Sequence, residues 1–252
     1  MNYKNLLISI LFLFAAGYIY DKFKIKVERD DKEDDLNIIK KYLLNDKENY
    51  IIDKLSSIKK PILWIYIDYK KNSRLWESFG SRNSYELNQD YLYLTIRSII
   101  QHCSEDFHII LLDNQSFCKL LPEWKINFNK ISSPLKDNVI NLGLMKLLYK
   151  YGGLIIDNSF IVFKSLLPLY DKIKKTNKIS IGEFNNNSID SHMIHFMPST
   201  KFIGSLKECQ KIKELINHYE ILISNDYTNS CNLENSINKW LLLNAENEDI
   251  NY

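Results

Sequence analysis

The sequence lacks an excess of charge of either sign. Its 252 residues include 33 Lys and Arg against 31 Asp and Glu, a net charge of +2, and the two signs are mixed along the chain. This composition excludes the broad basic surface that nucleic-acid binding requires, so we expect no nucleic-acid partner. Internal repeats are also lacking. A hydrophobic content of 45% in a chain of this length predicts one sizeable folded core.

Cysteines with the spacing of a metal site are lacking as well. The four cysteines, Cys103, Cys118, Cys209 and Cys231, lie far apart and include no CxxC pair. This pattern argues against structural zinc. The cysteine pattern is compatible with four buried free thiols and also with two disulfides. The sequence therefore does not decide between a reducing and an oxidising compartment.

One uncharged apolar segment stands near the N-terminus, at residues 6–20. As a helix it would cover about 22 Å, less than the roughly 30 Å hydrocarbon core of a bilayer. Interfacial residues before it would complete a thin membrane anchor, the interpretation we favour. A signal peptide is the alternative, with Lys4 before the segment and the small residues Ala15 and Ala16 resembling a cleavage site.

The bases that flank this segment bear on its orientation. Lys22, Lys24, Lys26 and Arg29 follow it, whereas only Lys4 precedes it. The positive-inside rule therefore favours a cytoplasmic main domain. A type II anchor with a luminal domain would need the opposite distribution of bases, and the sequence does not decide between the two sides of the membrane. We expect an anchor or signal peptide at 1–20, a charged helical stem at 21–59 and the main domain at 60–252.

The main domain begins with an alternation of strand and helix. Residues 61–69 read PILWIYIDY and residues 107–113 read FHIILLD, two apolar runs that are typical of buried strands. The first run contains Asp68 near its end, and the second ends at Asp113. Between them, a helix is predicted over residues 88–101, with Asn88 as its N-cap. Strand, helix and strand in this order predict a βαβ unit in a parallel sheet.

A polar segment follows the first strand and carries aromatic and basic residues. Arg74 and Arg82 accompany Trp76 and Phe79 there. Just beyond the carboxyl end of a strand, such a segment could stack a nucleotide base and hold phosphates. A surface loop pinned by its two aromatic side chains is the alternative.

The stretch from Pro134 to Phe163 organises the domain. Apolar residues on more than one face predict a buried helix from Pro134, Gly152 suits its C-terminal cap, and Gly153 would allow a close backbone approach. A short apolar strand follows and ends at Asp157, before Asn158 and Ser159. Open α/β sheets bind ligands and metals at the carboxyl ends of their strands.

The C-terminal part offers weaker candidates. Ser205 to Glu208 reads as a capping box that starts a helix. Lys201 closes a Ser-Thr-Lys run that could hold phosphate or cap a turn. Glu183 is a candidate acceptor-activating base. His192 and His195 could complete a metal site, although packing is the more common role of histidines among apolar neighbours.

The segment NLGLMKLLYKYGGLIIDNSF, residues 141–160, resembles the signature of DXD glycosyltransferases of the capsular-polysaccharide-synthesis and sugar-binding-region type, including divergent homologues in giant viruses. In that family a helix ending in Leu-Tyr-x-Tyr-Gly-Gly leads to a strand and an Asp-x-Asp pair. The resemblance extends over residues 60–240 and implies a GT-A-like fold: α/β, with a Rossmann-like, mostly parallel sheet flanked by helices. It implies transfer of a sugar from a nucleotide-sugar donor to a glycan, protein or other hydroxyl acceptor.

The family's metal site is only half present. Its two carboxylates, at i and i+2 on one face of a strand, hold Mn²⁺ or Mg²⁺ against the diphosphate. Asp157 matches the first and Ser159 replaces the second. The family's helix arginine is also replaced, by Ile140 or Asn141, and Asp137 matches an acidic residue near the start of that helix.

These departures leave three outcomes open. Asp157 and Ser159 could still hold the metal ion, bases could replace the metal, or the protein could be a catalytically degenerate, membrane-anchored binding or assembly module. We take Asp157 and Glu183 as the catalytic candidates. The candidates for nucleotide-sugar binding are Asp68, Arg74, Arg82, Asp113, Asp137, Asn158, Ser159 and Lys201.

Overall fold

The structure, a computed structural model, describes residues 3, 11–24, 42, 60–67, 90–133, 135–183, 196–225, 230–246 and 250–251. The chain divides into two compact units, residues 1–41 and 42–252. In the first unit, residues 11–24 form a helix with exposed side chains. No helix in the described ranges is both long and apolar enough to span a bilayer. Residues 6–10 of the predicted membrane segment, and almost all of the predicted stem at 21–59, lie outside the described residues.

The second unit is built on a six-stranded sheet with the order β2-β1-β3-β5-β4-β6. The pairs β1/β2, β1/β3 and β4/β6 are parallel, whereas β3/β5 and β4/β5 are antiparallel. The predicted α/β class and the βαβ unit are confirmed, but the sheet is mixed. The strands are β1 Ile62–Tyr66, β2 His108–Leu112, β3 Gly153–Ile156, β4 Ile179–Glu183, β5 Pro198–Ser205 and β6 Ile250–Asn251.

Helices connect and cover these strands. The first described residue of the predicted 88–101 helix is Asp90, since Asn88 lies outside the described residues. A short 3₁₀ turn, Phe128–Lys130, precedes the central helix. The α-helices of this unit are α1 Asp90–Cys103, α2 Ser116–Leu120, α3 Leu135–Tyr151, α4 Leu167–Thr176, α5 Gln210–Asn225 and α6 Ser230–Glu246.

The first strands are buried on both faces, as their continuous apolar runs predict. On one face, Trp64 of β1 and Leu112 of β2 belong to a core cluster that contains the buried residues of α3, α5 and α6. The alternate positions, such as Leu63 and Ile65, are fully buried on the other face. α4 covers part of that face, where a Cβ added at Gly204 would meet Ile173. The sheet is therefore the middle layer of three.

The junction between α3 and β3 follows the predicted use of the two glycines. Gly152 adopts φ 71° and its N–H donates to the carbonyl of Leu148 over 2.8 Å, which closes the helix. Gly153 adopts φ 110°, and a Cβ on it would lie 2.2 Å from the carbonyl oxygen of Ile62. Only glycine allows β3 to pair this closely with β1. The indole N–H of Trp64 also donates to the carbonyl of Gly152, over 2.9 Å.

The predicted capping box at Ser205–Glu208 is wrong. Ser205 is the last residue of β5, is fully buried, and pairs with Gly153 in the antiparallel ladder. Glu208 has a left-handed φ of 58°, and α5 begins only at Gln210. The long-range pairing with β3 holds residue 205 in a strand and displaces the start of the helix.

Candidate functional site

The carboxyl ends of β1, β2 and β3 meet at one edge of the sheet. The hydroxyl of Tyr66, the last residue of β1, donates to Oδ1 of Asn114, two residues after β2, over 2.8 Å. Nδ2 of Asn158, two residues after β3, donates to the carbonyl of Tyr66 over 3.2 Å. Polar side chains from the flanking turns therefore converge on the end of the middle strand, where parallel sheets bind ligands.

Asp157 lies directly after β3 at this edge and is half-buried. Its Oδ1 accepts the backbone N–H of Ser159 over 2.9 Å, and its carbonyl accepts the N–H of Phe160 over 3.2 Å. This is an Asx turn, in which the side chain stabilises the turn of its own backbone. Because β3 ends at Ile156, Asp157 and Ser159 do not share one face of a strand as the family pattern predicts. Ser159 itself is exposed.

Asp157 and Lys201 face each other across the antiparallel pair of β3 and β5. The ladder pairs Ile156 with Phe202, and beyond it the N–H of Asp157 donates to the carbonyl of Lys201 over 2.9 Å. Directly opposite residues have Cβ atoms about 5 Å apart on the same side of a sheet. Lys201 is exposed at this position.

Asp113, the strand-end acid of β2, is used as a cap. Its Oδ1 accepts the N–H of Gln115, the N–H of Ser116 and the hydroxyl of Ser116, at 3.0, 2.9 and 2.8 Å. These bonds stabilise the start of α2. β1 separates β2 from β3, so Asp113 and Asp157 lie on the order of 10 Å apart. Its role in nucleotide binding stays a prediction.

Asp137 lies in the first turn of α3. Its Oδ2 accepts the hydroxyl of Ser133 over 3.0 Å, which ties the start of the helix to the residue two positions before it. α3 packs on the sheet and joins the amino end of β3 through Gly152, so its first turn points toward the carboxyl edge. Asp137 therefore lies at the same end of the domain as Asp157.

Glu183 ends β4 and is exposed. It pairs with Pro198, the first residue of β5. Because β5 runs antiparallel to β3, its first residues extend past the carboxyl end of β3. Pro198 is three residues from Lys201, about 10 Å along the strand. Glu183 thus lies on the same edge of the sheet as Asp157, but farther out.

Five other candidate residues lie outside the described residues. They are Asp68, Arg74, Arg82, His192 and His195. Ile67 follows the last residue of β1, and its N–H donates to the carbonyl of Leu112 over 2.8 Å, so the described chain stops one residue before Asp68 at the same edge. Their roles stay predictions.

A cavity of about 490 Å³ lies at the opposite edge of the sheet. It is lined by the residues around Leu206–Gln210, between β5 and α5, and by Asn177–Ile179, before β4. Two of its lining residues, Asn177 and Glu208, adopt left-handed conformations. The charges of its lining are paired, since Lys207 contacts Glu208 at 3.6 Å and Lys211 contacts Glu214 at 3.0 Å. It is separate from the edge formed by Tyr66, Asn114 and Asp157.

Sequence reasoning missed Asn114 and Tyr66. Neither is charged, and asparagine is too common in this chain for an isolated one to stand out. Only the position of Asn114 could have indicated it. Asn114 is two residues after Leu112, the last residue of β2, and residues two apart along a strand lie on the same side of the sheet. Tyr66 marks the last residue of β1 in the same way.

No protein-family model matches the chain, and no curated protein is similar to it in sequence. Among solved structures, its fold is similar to a chain described as PaToxG glycosyltransferase. The two are 12% identical, the match covers 81% of this chain and 76% of that chain, and the TM-score is 0.45. A similarity this low supports no argument about the site or its reaction.

Proposed function

We propose that this protein binds a nucleotide-sugar donor at the carboxyl edge of β1, β2 and β3 and transfers the sugar to a hydroxyl of a glycan or protein acceptor. The observation that carries the proposal is the placement of Asp157. This half-buried residue lies at a strand end, its carboxylate accepts the N–H of Ser159, and its backbone N–H donates to the carbonyl of Lys201 on the neighbouring strand. The family resemblance of residues 141–160 supports the same reaction class.

Sugar transfer requires two groups at this edge: a positive charge that stabilises the leaving diphosphate, and a base that takes the proton of the acceptor hydroxyl. The bond between the sugar and the diphosphate breaks while a bond from the sugar to the acceptor oxygen forms, so negative charge grows on the diphosphate. In the proposed mechanism the ammonium of Lys201 binds that diphosphate. Glu183 takes the proton of the acceptor hydroxyl, a role that its exposed position at the outer part of the edge leaves open to a large acceptor.

The residues at this edge fit a hard divalent cation that binds together with the donor. Among the described residues, no group of three or more His, Cys, Asp or Glu side chains forms a metal site. Mg²⁺, however, commonly binds through one or two carboxylates and the phosphates of its substrate. Asp157, with the hydroxyl of Ser159, would hold Mn²⁺ or Mg²⁺ in this way. The ion would neutralise the leaving diphosphate.

One observation favours a second function, a catalytically degenerate homologue that acts as a binding or assembly module. Ser159 is neutral, and its N–H is used to close the turn at Asp157. Ile140, one of the two residues at the position of the family's arginine, is buried in the core cluster and cannot contact a phosphate. The charge that the family uses for transfer is thus reduced at two positions.

Calorimetry and a turnover assay separate the two functions. We expect UDP or GDP to bind more tightly with Mn²⁺ than without it, and Asp157→Ala to abolish the Mn²⁺ effect. Asp171→Ala is the matched control, because Asp171 is also a half-buried carboxylate but lies on α4 and pairs with Lys174. Absence of heat with either nucleotide at millimolar concentration would refute donor binding. Nucleotide binding without turnover of any nucleotide sugar would favour the binding module.

The placement of the protein at a membrane is part of the same proposal. It rests on the apolar segment at residues 6–20, which would anchor the chain in the membrane. Residues 6–10 of that segment lie outside the described part. Fractionation of the full chain, with alkaline carbonate extraction of membranes, tests it: an anchored protein stays in the pellet.

A further inference from the structure

Most of the large apolar side chains that remain exposed in the described part of residues 42–252 lie on one surface. Seven such side chains are more than a third exposed: Leu94, Phe160, Ile161, Phe163, Leu169, Ile221 and Leu243. The first five come from α1, from the segment after the Asp157 turn, and from α4. We call these five residues the apolar surface. Phe163 is its most prominent member, at 78% exposure.

The backbone explains why these side chains point outward. The N–H of Val162 donates to the hydroxyl of Ser98 in α1 over 3.0 Å, and the Val162 side chain is buried. Its neighbours Ile161 and Phe163 therefore face solvent. Leu94 lies one turn before Ser98, on the same side of α1. α4 is fastened to the chain after α1 by the edge-to-face contact of Phe107 with Tyr170.

Three exposed lysines lie close in sequence to residues of the apolar surface. Lys164 follows Phe163 directly, and Lys172 lies three residues after Leu169, on the same exposed face of α4, with Lys175 three residues further on. None of these three makes an ion pair with a described residue. Of the nearby acids, Asp171 contacts Lys174 at 3.4 Å, and Asp106 accepts the hydroxyl of Ser165. The surface is thus apolar with a positively charged margin.

We propose that the apolar surface and these three lysines form a peripheral contact with an anionic lipid bilayer. Phenylalanine, isoleucine and leucine side chains enter the boundary between headgroups and acyl chains, while lysines bind lipid phosphates and carboxylates. A protein partner is disfavoured by the lysines, since lysine is depleted in protein–protein interfaces. The contact does not depend on the proposed function, although it would place the Asp157 edge beside the headgroups, because Phe160 follows the Asp157 turn.

Photo-crosslinking in the full chain tests which surface touches lipid. Phe163 is replaced by benzoylphenylalanine and, as the matched control, so is Leu243, which is half exposed on α6. With vesicles of phosphatidylcholine and phosphatidylserine, we expect lipid adducts at 163 to exceed those at 243 at least several-fold. Equal yields at the two positions would overturn the proposal. The comparison is made at equal amounts of vesicle-bound protein, so binding through the N-terminal helix does not affect it.

Charge variants test the role of the lysines. Each lysine near an anionic surface contributes about 1 kcal/mol, so Lys164→Gln with Lys172→Gln should lower the yield of lipid adducts at position 163 by up to roughly 30-fold, again at equal amounts of vesicle-bound protein. Lys213→Gln with Lys239→Gln, exposed on α5 and α6, should change this yield little. An unchanged adduct yield in the first double variant, or an equal yield in vesicles of pure phosphatidylcholine, would contradict the proposal. A dimer that forms without lipid and is lost in Ile161→Ser with Phe163→Ser would identify a self-association surface instead.

Discussion

Nδ2 of Asn158 donates a hydrogen bond to the backbone carbonyl of Tyr66 over 3.2 Å. The hydroxyl of Tyr66 in turn donates to Asn114 over 2.8 Å. This pair of bonds joins the ends of three strands that are distant in sequence. It also holds the turn that carries Asp157 in a defined position against β1, which a catalytic or binding carboxylate requires.

Replacing Asn158 by alanine should loosen this edge. The change removes the donor to Tyr66, and we expect the free energy of unfolding to fall by about 1 kcal/mol, the usual net value of one hydrogen bond. Asn217→Ala, at an exposed position of α5, is the control and should have a smaller effect. Urea denaturation measures both. If Asn158→Ala lowers nucleotide affinity without lowering stability, Asn158 contacts the ligand directly.

Ser159→Asp should strengthen the metal site that we propose at Asp157. Ser159 is exposed, so the added carboxylate fits without disturbing the core, and a second negative ligand should tighten Mn²⁺ binding about tenfold or more. Ser159→Asn has nearly the same shape without the charge and should not do so. Calorimetric titration with Mn²⁺, alone and with UDP, compares them. Identical affinities for the two variants would show that residue 159 contributes no ligand to an ion at Asp157.

Gly153→Ala should destabilise the fold severely. The backbone at Gly153 is left-handed, and the new methyl group would lie 2.2 Å from the carbonyl oxygen of Ile62, so strain and overlap add. We expect a loss of roughly 3 kcal/mol or more in the free energy of unfolding. Gly17→Ala is the control, because nothing lies within 4 Å of a Cβ there. A thermal midpoint of Gly153→Ala near that of the parent protein would contradict the packing of β3 against β1.

The protein should lose stability in alkaline solution. Burial raises the pKa of the Cys103 thiol above its ordinary value of 9.0, and burial also raises the pKa of Tyr170 above 10.0. Burial also raises the pKa of Tyr219, which packs against α6. This effect is larger than that of the hydrogen bond with Thr200, which lowers the same pKa. Because the unfolded chain releases these protons first, stability is complete below about pH 9 and falls as the pH rises further.

Tyr219→Phe tests the origin of this pH dependence. Phenylalanine has no proton to release, so the variant should lose less stability than the parent protein between pH 8 and pH 11 in urea denaturation series. Tyr20→Phe is the control, because Tyr20 is 68% exposed. Parallel pH profiles for Tyr219→Phe and the parent protein would show that Tyr219 does not contribute.

Local patterns predicted the βαβ unit and the central helix well. Continuous apolar runs indicated β1 and β2, and the Gly-Gly pair indicated the sharp passage from α3 to β3, because only glycine adopts these conformations cheaply. The same kind of reasoning failed at Ser205–Glu208. The residue types suit a helix cap, but pairing with β3 keeps Ser205 in a strand. Short-range signals cannot report a partner that is about fifty residues away.

By itself, the sequence determined that a buried helix, a glycine pair and a short strand deliver Asp157 to a strand end, since periodicity and glycine conformations are local properties. Only the tertiary structure decided what surrounds that carboxylate. β5 lies antiparallel beside β3 and pairs the backbone of Lys201 with that of Asp157. Asn158 donates to Tyr66, and the carboxylate of Asp113 accepts N–H groups at the start of α2. These outcomes depend on which strands become neighbours, and that choice depends on the burial of the whole sheet.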